Sequence, residues 1–299
     1  MAQHRTPLRY PGGKQKLTPF VLEIIRANGL EMCHYVEPYA GGAGVAMELL
    51  IAGHVEHVHL NDSSYHIYSF WRSILDHTDA FCSKISRSLL SVEEWLSHRE
   101  ILRNPSKYSA FEVGFATFYL NRTNRSGVLN AGVIGGLNQD GKWKIDARFP
   151  RNDLISRIEL IGSFRESISL YNLDAEYFFS NNIPCYPENT LIYCDPPYFE
   201  KANRLYLNHY IEEDHSRIAS KIQQIDNVKW IVSYDSVEKI LNYYSSRRKF
   251  LYDLQYSASR AYVGKEVFIF SDDLIIPRYS TLPYITKALK ENSNHLHIF

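Results

Sequence analysis

Two runs of this 299-residue sequence carry side chains whose types and spacing could do chemistry together. The first, Val36-Glu37-Pro38-Tyr39-Ala40-Gly41-Gly42-Ala43-Gly44, reads as a strand running into a glycine turn that opens a helix. Glycines let a backbone approach a ligand closely and present amide hydrogens at a helix N-terminus. A dinucleotide loop would read G-x-G-x-x-G and a phosphate loop would end in Gly-Lys-Ser/Thr, and neither pattern is here. Glu37 would repel a pyrophosphate, yet it suits a ligand with an amino or sulfonium charge, such as S-adenosylmethionine. Asp62, eighteen residues after Gly44 at the end of the next strand, stands where an acidic residue takes ribose hydroxyls.

The second run is Leu191-Ile192-Tyr193-Cys194-Asp195-Pro196-Pro197-Tyr198, again at the carboxyl end of an apolar strand. Two successive prolines fix the backbone and remove two donors, leaving carbonyls beside a carboxylate and an aromatic ring. An adenine or cytosine amino group offers two hydrogens and a flipped base offers a π-face. Asp195, the Pro196 carbonyl and Tyr198 therefore suit a base amine. The bland alternatives are a capped glycine turn and a rigid proline turn. The second becomes improbable once both runs sit at strand ends. His54, His57 and His59 look metal-like, but no Asp, Glu or Cys ligands stand at matching spacing, and no metal is expected.

The elements that must position these runs alternate. HYVEPY and HVEHVHL read as strands, with helical periodicity in GAGVAMELLIAG and SSYHIYSFWRSILDH. A second such block begins at ISLYNLD (168–174). It continues through TLIYCD, a helix near 214–225, KWIVSYD, a helix near 236–244, and the strand-like VFIF and LIIP. Between the blocks the pattern changes to amphipathic helix followed by a Gly- and Asn-rich basic stretch. The expected organisation is a catalytic domain from 1–75 and 166–299, with an inserted domain at 76–165.

The net charge of zero hides an uneven distribution: successive segments 1–30, 31–98, 99–165, 166–199 and 200–299 carry +4, −6, +5, −5 and +2. Folded together, these could set a cationic face beside an anionic pocket. In the basic insert Asn124, Arg125, Lys142 and Trp143 are candidate contacts to nucleic acid, and the loop Lys201–Tyr206 could close over a base. The four cysteines, at irregular spacing, are expected to be reduced thiols. No apolar stretch reaches the roughly 20 residues of a spanning helix, and the start MAQHRTPLRYPGGK shows no secretory pattern. A cytoplasmic protein with no membrane partner is the expectation.

Glu37-Pro38-Tyr39-x-Gly-Gly-x-Gly44, Asp195-Pro196-Pro197-Tyr198 and the N-terminal Leu8-Arg9-Tyr10-Pro11-Gly12-Gly13-Lys14 together resemble the Dam-type, alpha-group DNA adenine N6-methyltransferases. The resemblance runs to about residue 277. It implies an α/β fold, a Rossmann-like S-adenosylmethionine-dependent methyltransferase sheet with an inserted, mainly helical DNA target-recognition domain. The implied partner is double-stranded DNA, with a cognate restriction endonuclease also open. By that resemblance Tyr10 and Lys14 help close the cofactor or catalytic pocket. Glu37, Pro38, Tyr39, Ala40, Gly41, Gly42 and Gly44 line the methionine part, Asp62 takes the ribose and Asp174 the cofactor adenine. Asp195, Pro196, Pro197 and Tyr198 are the catalytic set, while Asn121, Arg122, Asn124, Arg125, Lys142 and Trp143 face DNA. Tyr10 departs from the Trp of many relatives, and AGVIGGLNQDGKWK maps onto no particular target sequence. Two other readings stay open. One is methyl transfer to RNA or to a protein amide, whose glutamine-directed enzymes carry Asn where this chain has Asp195. The other is a catalytically silent DNA-binding relative.

Overall fold

A computed structural model describes residues 5–9, 14–199, 210–256, 262–277 and 285–288. After a 3-10 turn at Lys14–Leu17 and helix α1 (Thr18–Ala27) come β1 (Cys33–Glu37), α2 (Gly44–Ile51), β2 (Val55–Asn61) and α3 (Tyr65–Asp76). Helices α4 (Thr78–Arg87), α5 (Val92–Arg103), α6 (Ala110–Thr123) and α7 (Arg151–Gly162) follow in the segment expected as an insert. The chain then alternates again: β3 (Ile168–Tyr171), α8 (Ala175–Asn181), β4 (Thr190–Cys194), α9 (Glu212–Gln223), β5 (Lys229–Asp235) and α10 (Glu238–Tyr243). Three strands close the order: β6 (Arg248–Tyr256), β7 (Tyr262–Phe270) and β8 (Ile285–Ala288).

One sheet runs in the order β3-β2-β1-β4-β5-β7-β6-β8. Strands β1 to β5 are mutually parallel, β7 is antiparallel to β5 and β6, and β8 is antiparallel to β6. This is the expected mixed α/β, Rossmann-like sheet. Its central strands are apolar almost throughout because both faces are covered. Tyr35, Leu191, Tyr193, Ile231 and Phe268 point into one apolar cluster with α1 to α7, while Val36, Ile192, Cys194, Val232 and Val267 point into the other with α8, α9 and α10. The first cluster continues without a break from α3 into α4–α7, so these helices share the core of the sheet.

One expectation for the C-terminal strands needs correction, and one strand was not expected. LIIP (274–277) is not a strand: Leu274 is buried, but the Ile275 amide donates to the Asn28 side chain at 2.7 Å rather than to a ladder. The strand β6 went unrecognised because RKFLYDLQY carries charge on a buried face. There Lys249 is buried and donates to the carbonyls of Tyr244, Ser245 and Arg247 at 2.7, 3.1 and 3.1 Å. The histidines of β1 and β2 stack on one another, with His34 Nδ1 2.9 Å from His59 Nε2. Burial and the His57 and His34 rings push His59 down to about 3. Among the described residues all four cysteines are free, no group of side chains could hold a metal, and no helix is long and apolar enough to cross a membrane.

Helix α6 lies on α3 at Gly114, where an added Cβ would come within 2.3 Å of the Ser69 carbonyl and 2.4 Å of the Ser73 hydroxyl. Helix propensity alone makes Gly→Ala favourable by about 1 kcal/mol. Packing should reverse that sign here, since overpacking at a backbone contact costs about 1–3 kcal/mol. Gly114→Ala is expected to lower the urea midpoint, and a raised midpoint would show that the two helices can part at no cost.

Candidate active site

The chain leaves β1 outward to β2 and β3, then returns to the other side of β1 as β4, so the order reverses between β1 and β4. Open α/β sheets form their crevice outside the carboxyl ends of the strands at such a point. Glu37 ends β1 and Asp195 follows β4, which places both motifs at this crevice.

The glycine turn is held tightly from inside. Gly41 (φ 46°) and Ala43 (φ 44°) are left-handed, a conformation that strains an alanine. The Ala43 amide donates to the Ala40 carbonyl at 2.6 Å, and Met47 donates to the Ala43 carbonyl at 3.0 Å as α2 begins. Asn61 ties the turn to the loop after β3, donating to the Pro38 and Leu173 carbonyls at 3.1 Å each and accepting from the Leu173 amide at 3.0 Å. Trp71 Nε1 donates to the Gly41 carbonyl at 2.9 Å. Gly42 is buried, and at Gly44 a Cβ would stand 3.3 Å from Gln15 Cβ, so the Lys14–Leu17 turn lies directly on the start of α2. Tyr39 accepts a hydrogen bond from the Tyr210 hydroxyl at 3.1 Å.

Besides Asp195 after β4, Glu37 ends β1, Asp62 follows β2 and Asp174 follows β3. Glu37 Oε1 accepts from the Ala46 amide at 3.1 Å at the start of α2. Burial pushes Glu37 up to about 8, opposed by that amide and reinforced by the charge of Asp195. Asp62 accepts from the Gly41 and Ser64 amides at 2.9 Å each, and burial pushes it up to about 6. Asp174 caps α8 through one oxygen, accepting from the Glu176 and Tyr177 amides at 2.9 and 3.3 Å, and is exposed.

Asp195 stands at the centre of a polar network. Its Oδ1 accepts from the Ser233 hydroxyl at 2.8 Å and lies 3.2 Å from Lys14 Nζ. Ser233 in turn lies 2.9 Å from the Tyr193 hydroxyl. Burial pushes Asp195 up to about 6. The Lys14 charge and the Ser233 hydroxyl pull the other way, and the Glu266 charge adds to the rise. Burial would pull Lys14 down, but the charges of Asp195 and Glu266 outweigh it and hold the ammonium above its usual range. Pro196 is buried and Pro197 half-buried. Tyr198 is 2% exposed, with its hydroxyl donating to Glu266 Oε1 at 2.7 Å and accepting from Lys14 at 2.9 Å. Its ring therefore faces the interior in this structure and offers no open face for stacking, because the hydroxyl has two partners there. Tyr10 and Lys201–Tyr206 lie outside the described residues.

The expected DNA-facing residues divide in two. Asn121, Arg122 and Asn124 are a correction: all three are buried and their polar groups are used inside the protein. Asn121 accepts from the Arg9 amide at 2.7 Å and donates to the Arg9 and Gly127 carbonyls at 2.8 and 2.9 Å. Arg122 Nε donates to the Arg148 carbonyl at 2.7 Å. Asn124 accepts from Trp95 Nε1 at 2.6 Å and donates to the Val128 and Leu129 carbonyls at 2.9 and 2.8 Å. Together they clasp the N-terminal segment at Pro7 and Arg9. Arg125, Lys142 and Trp143 are exposed on the loop between α6 and α7, Trp143 at 64% with Lys142 Nζ 5.8 Å above its ring.

Ser233 and Glu266 went unnoticed in the sequence. Strand alternation could have found Glu266, which shares a face with the buried Phe268 and Phe270. An acidic residue in that series needs a buried partner.

A Rossmann-like sheet with carboxyls at the carboxyl ends of the two strands that flank its switch point defines the class, an α/β enzyme with its ligand crevice there. The chain belongs to the D12 class N6 adenine-specific DNA methyltransferase family, whose model matches residues 10–258. It is thus an S-adenosylmethionine-dependent DNA adenine methyltransferase. Solved structures similar to the chain include a proposed RNA methyltransferase from Pyrococcus horikoshii, at 10% identity and TM-score 0.39 over 85% of this chain and 80% of that one. The rRNA methyltransferase aviRa from Streptomyces viridochromogenes matches at 10% identity and TM-score 0.36, over 87% of this chain and 85% of its own. Comparison with curated proteins gives no match.

Asn121→Ala tests the clasp. It leaves buried amide and carbonyl groups of Arg9 and Gly127 unpaired, and a loss of about 2–4 kcal/mol in urea unfolding is expected. Unchanged stability with weakened DNA binding would return Asn121 to the DNA surface.

Proposed function

We propose that the protein transfers a methyl group to the exocyclic N6 amino group of an adenine turned out of double-stranded DNA, with Asp195 and the Pro196 carbonyl accepting the amine's hydrogens. The observation that carries this reading is the asymmetry of Asp195. Its Oδ1 is anchored by Lys14 and Ser233, while no described residue donates to Oδ2 and the side chain is 25% exposed. The lone pair of an adenine amine is delocalised into the ring. Hydrogen bonds to a carboxylate and a carbonyl favour a pyramidal nitrogen and localise that pair. Asp195 need not act as a full base, since the nitrogen can give up its proton once it has become cationic. An adenine inside a duplex cannot reach a strand-end crevice, which supports extrusion of the base.

The residues present fit the cofactor. Glu37, Asp62 and Asp195 are each pushed up by burial, so a sulfonium or ammonium beside them would favour their ionised forms, and no basic side chain lies in 36–44. Glu37 with the turn from Pro38 to Gly44 would hold the methionine part, and Asp62 the ribose. S-adenosylmethionine, when bound, supplies an electrophilic methyl group. The segment 76–165 serves as the target-recognition domain, where Arg125 and Lys142 contact phosphates and Trp143 offers an exposed ring for stacking.

Incubation with labelled S-adenosylmethionine and unmethylated DNA, followed by digestion to nucleosides, should yield N6-methyladenine. Asp195→Ala should lower turnover by roughly 10²-fold or more. Because the acceptor must be ionised, turnover should fall as pH drops through about 6. A near-wild-type rate in Asp195→Ala would sink the mechanism. For the DNA surface, Arg125→Ala and Lys142→Ala should each reduce the slope of log affinity against log salt by about 1 without changing stability. An unchanged slope would place these side chains off the DNA.

A further inference from the structure

Glu266 is an acid on the face of β7 that also carries Phe268 and Phe270. Phe268 and Phe270 on the same face are fully buried, and Glu266 is 1% exposed. A carboxylate removed from water is costly unless paired and hydrogen-bonded. Here donors arrive from three parts of the chain. Lys14 Nζ donates to Oε2 at 2.7 Å, the Tyr252 hydroxyl donates to the same oxygen, and the Tyr198 hydroxyl donates to Oε1 at 2.7 Å. The three N–H groups of Lys14 are directed at Glu266, at the Tyr198 hydroxyl (2.9 Å) and at Asp195 Oδ1 (3.2 Å). One positive charge faces two carboxylates, and the nearer one is Glu266.

We propose that Glu266 is a positioning residue for methyl transfer: it draws the Lys14 cation off Asp195, so that Asp195 stays a strong acceptor for the target amine, and it fixes Tyr198 beside that carboxylate through the phenol. The proposal rests on the reading of Asp195 as the amine's acceptor. Without the Glu266 charge, Lys14 becomes the counter-ion of Asp195 alone, and a carboxylate neutralised by an ammonium accepts an amine hydrogen less strongly. Among the described residues the groups facing Asp195 are Lys14 from the N-terminal turn, Glu37 from β1, Tyr193 and Cys194 from β4, Ser233 from β5, Tyr252 from β6 and Glu266 from β7. Lys14 is the one cation among these described groups, so how it is shared bears directly on Asp195.

The test is Glu266→Gln in the full chain, with kcat and KM measured across roughly pH 5–9 beside Glu266→Asp and Asp195→Asn. In Glu266→Gln the plateau kcat should fall on the order of 10-fold with KM values within about 2-fold. The acid limb of kcat should move down by about one pH unit, because Asp195 loses a neighbouring anion and gains the whole of Lys14. Glu266→Asp keeps the charge and should hold the limb at its wild-type position. An unmoved limb and unchanged kcat in Glu266→Gln, with Asp195→Asn inactive, overturns the proposal. An active Asp195→Asn overturns the reading beneath it instead. Should Glu266→Gln fail to fold, Lys14→Gln is compared with the double variant lacking both charges, since a buried pair removed together is better tolerated. The limb must then lie lower in the double variant, and coincident limbs overturn the proposal.

Discussion

A single buried ammonium constrains most of what surrounds it. Lys14 is 5% exposed and can hold its charge in the interior only while carboxylates surround it. Those carboxylates come from distant parts of the chain, Asp195 after β4 and Glu266 on β7, the latter 252 residues away. The antiparallel insertion of β7 between β5 and β6 is what brings Glu266 opposite Asp235 on one side and Tyr252 on the other. A strand order that left β7 at the edge would strand Lys14 beside Asp195 alone. The N-terminal turn, the proline tetrapeptide and the C-terminal strands are therefore one electrostatic unit, although they are far apart in sequence.

That unit extends into the helical segment. Asn121 grips Arg9, Arg122 reaches the Pro7 carbonyl at 3.5 Å, and Arg157 donates to the Thr6 carbonyl at 3.1 Å. Gly127 (φ +75°) lets the chain approach Arg9 so closely that a Cβ would lie 2.3 Å from the Arg9 carbonyl. The segment at residues 5–9 is thus pinned by the same helix end from which the exposed loop of Arg125, Lys142 and Trp143 departs. Within that loop Gln139 plays a similar role, donating to the Ile134 and Gly136 carbonyls at 2.8 and 2.7 Å and accepting from the Ile145 amide at 2.8 Å. Polar residues in this region divide their work, the buried ones fixing shape and the exposed ones facing solvent.

This division explains what was legible in the sequence and what was not. The glycine turn and the proline tetrapeptide are local: their chemistry is written in consecutive residues, and the apolar strands before them announce their place at strand ends. Asn121, Arg122 and Asn124 follow a helix and look like a polar surface, because composition cannot tell a solvated amide from one that saturates a neighbouring backbone. Ser233 and Glu266 are the converse case. Each is an unremarked polar residue in an apolar strand, and its importance depends on which strand lies beside it. Tyr198 shows a third limit, since its identity is readable but the direction of its ring depends on Glu266 and Lys14.

The charges at the crevice do not balance within the described protein. Asp195 shares Lys14 with Glu266, no described cation bears on Glu37 or Asp62, and burial pushes all three carboxyls upward. Glu37, raised to about 8, is largely protonated at neutral pH before any ligand arrives. On the proposed reading, a cationic cofactor restores the missing charge and makes the Glu37 anion favourable, so its arrival and the loss of that proton are linked. The same charge, set beside Asp195, also favours the ionised form that the amine requires. Cofactor binding and readiness of the acceptor are then coupled by electrostatics alone, and neither depends on a change of fold.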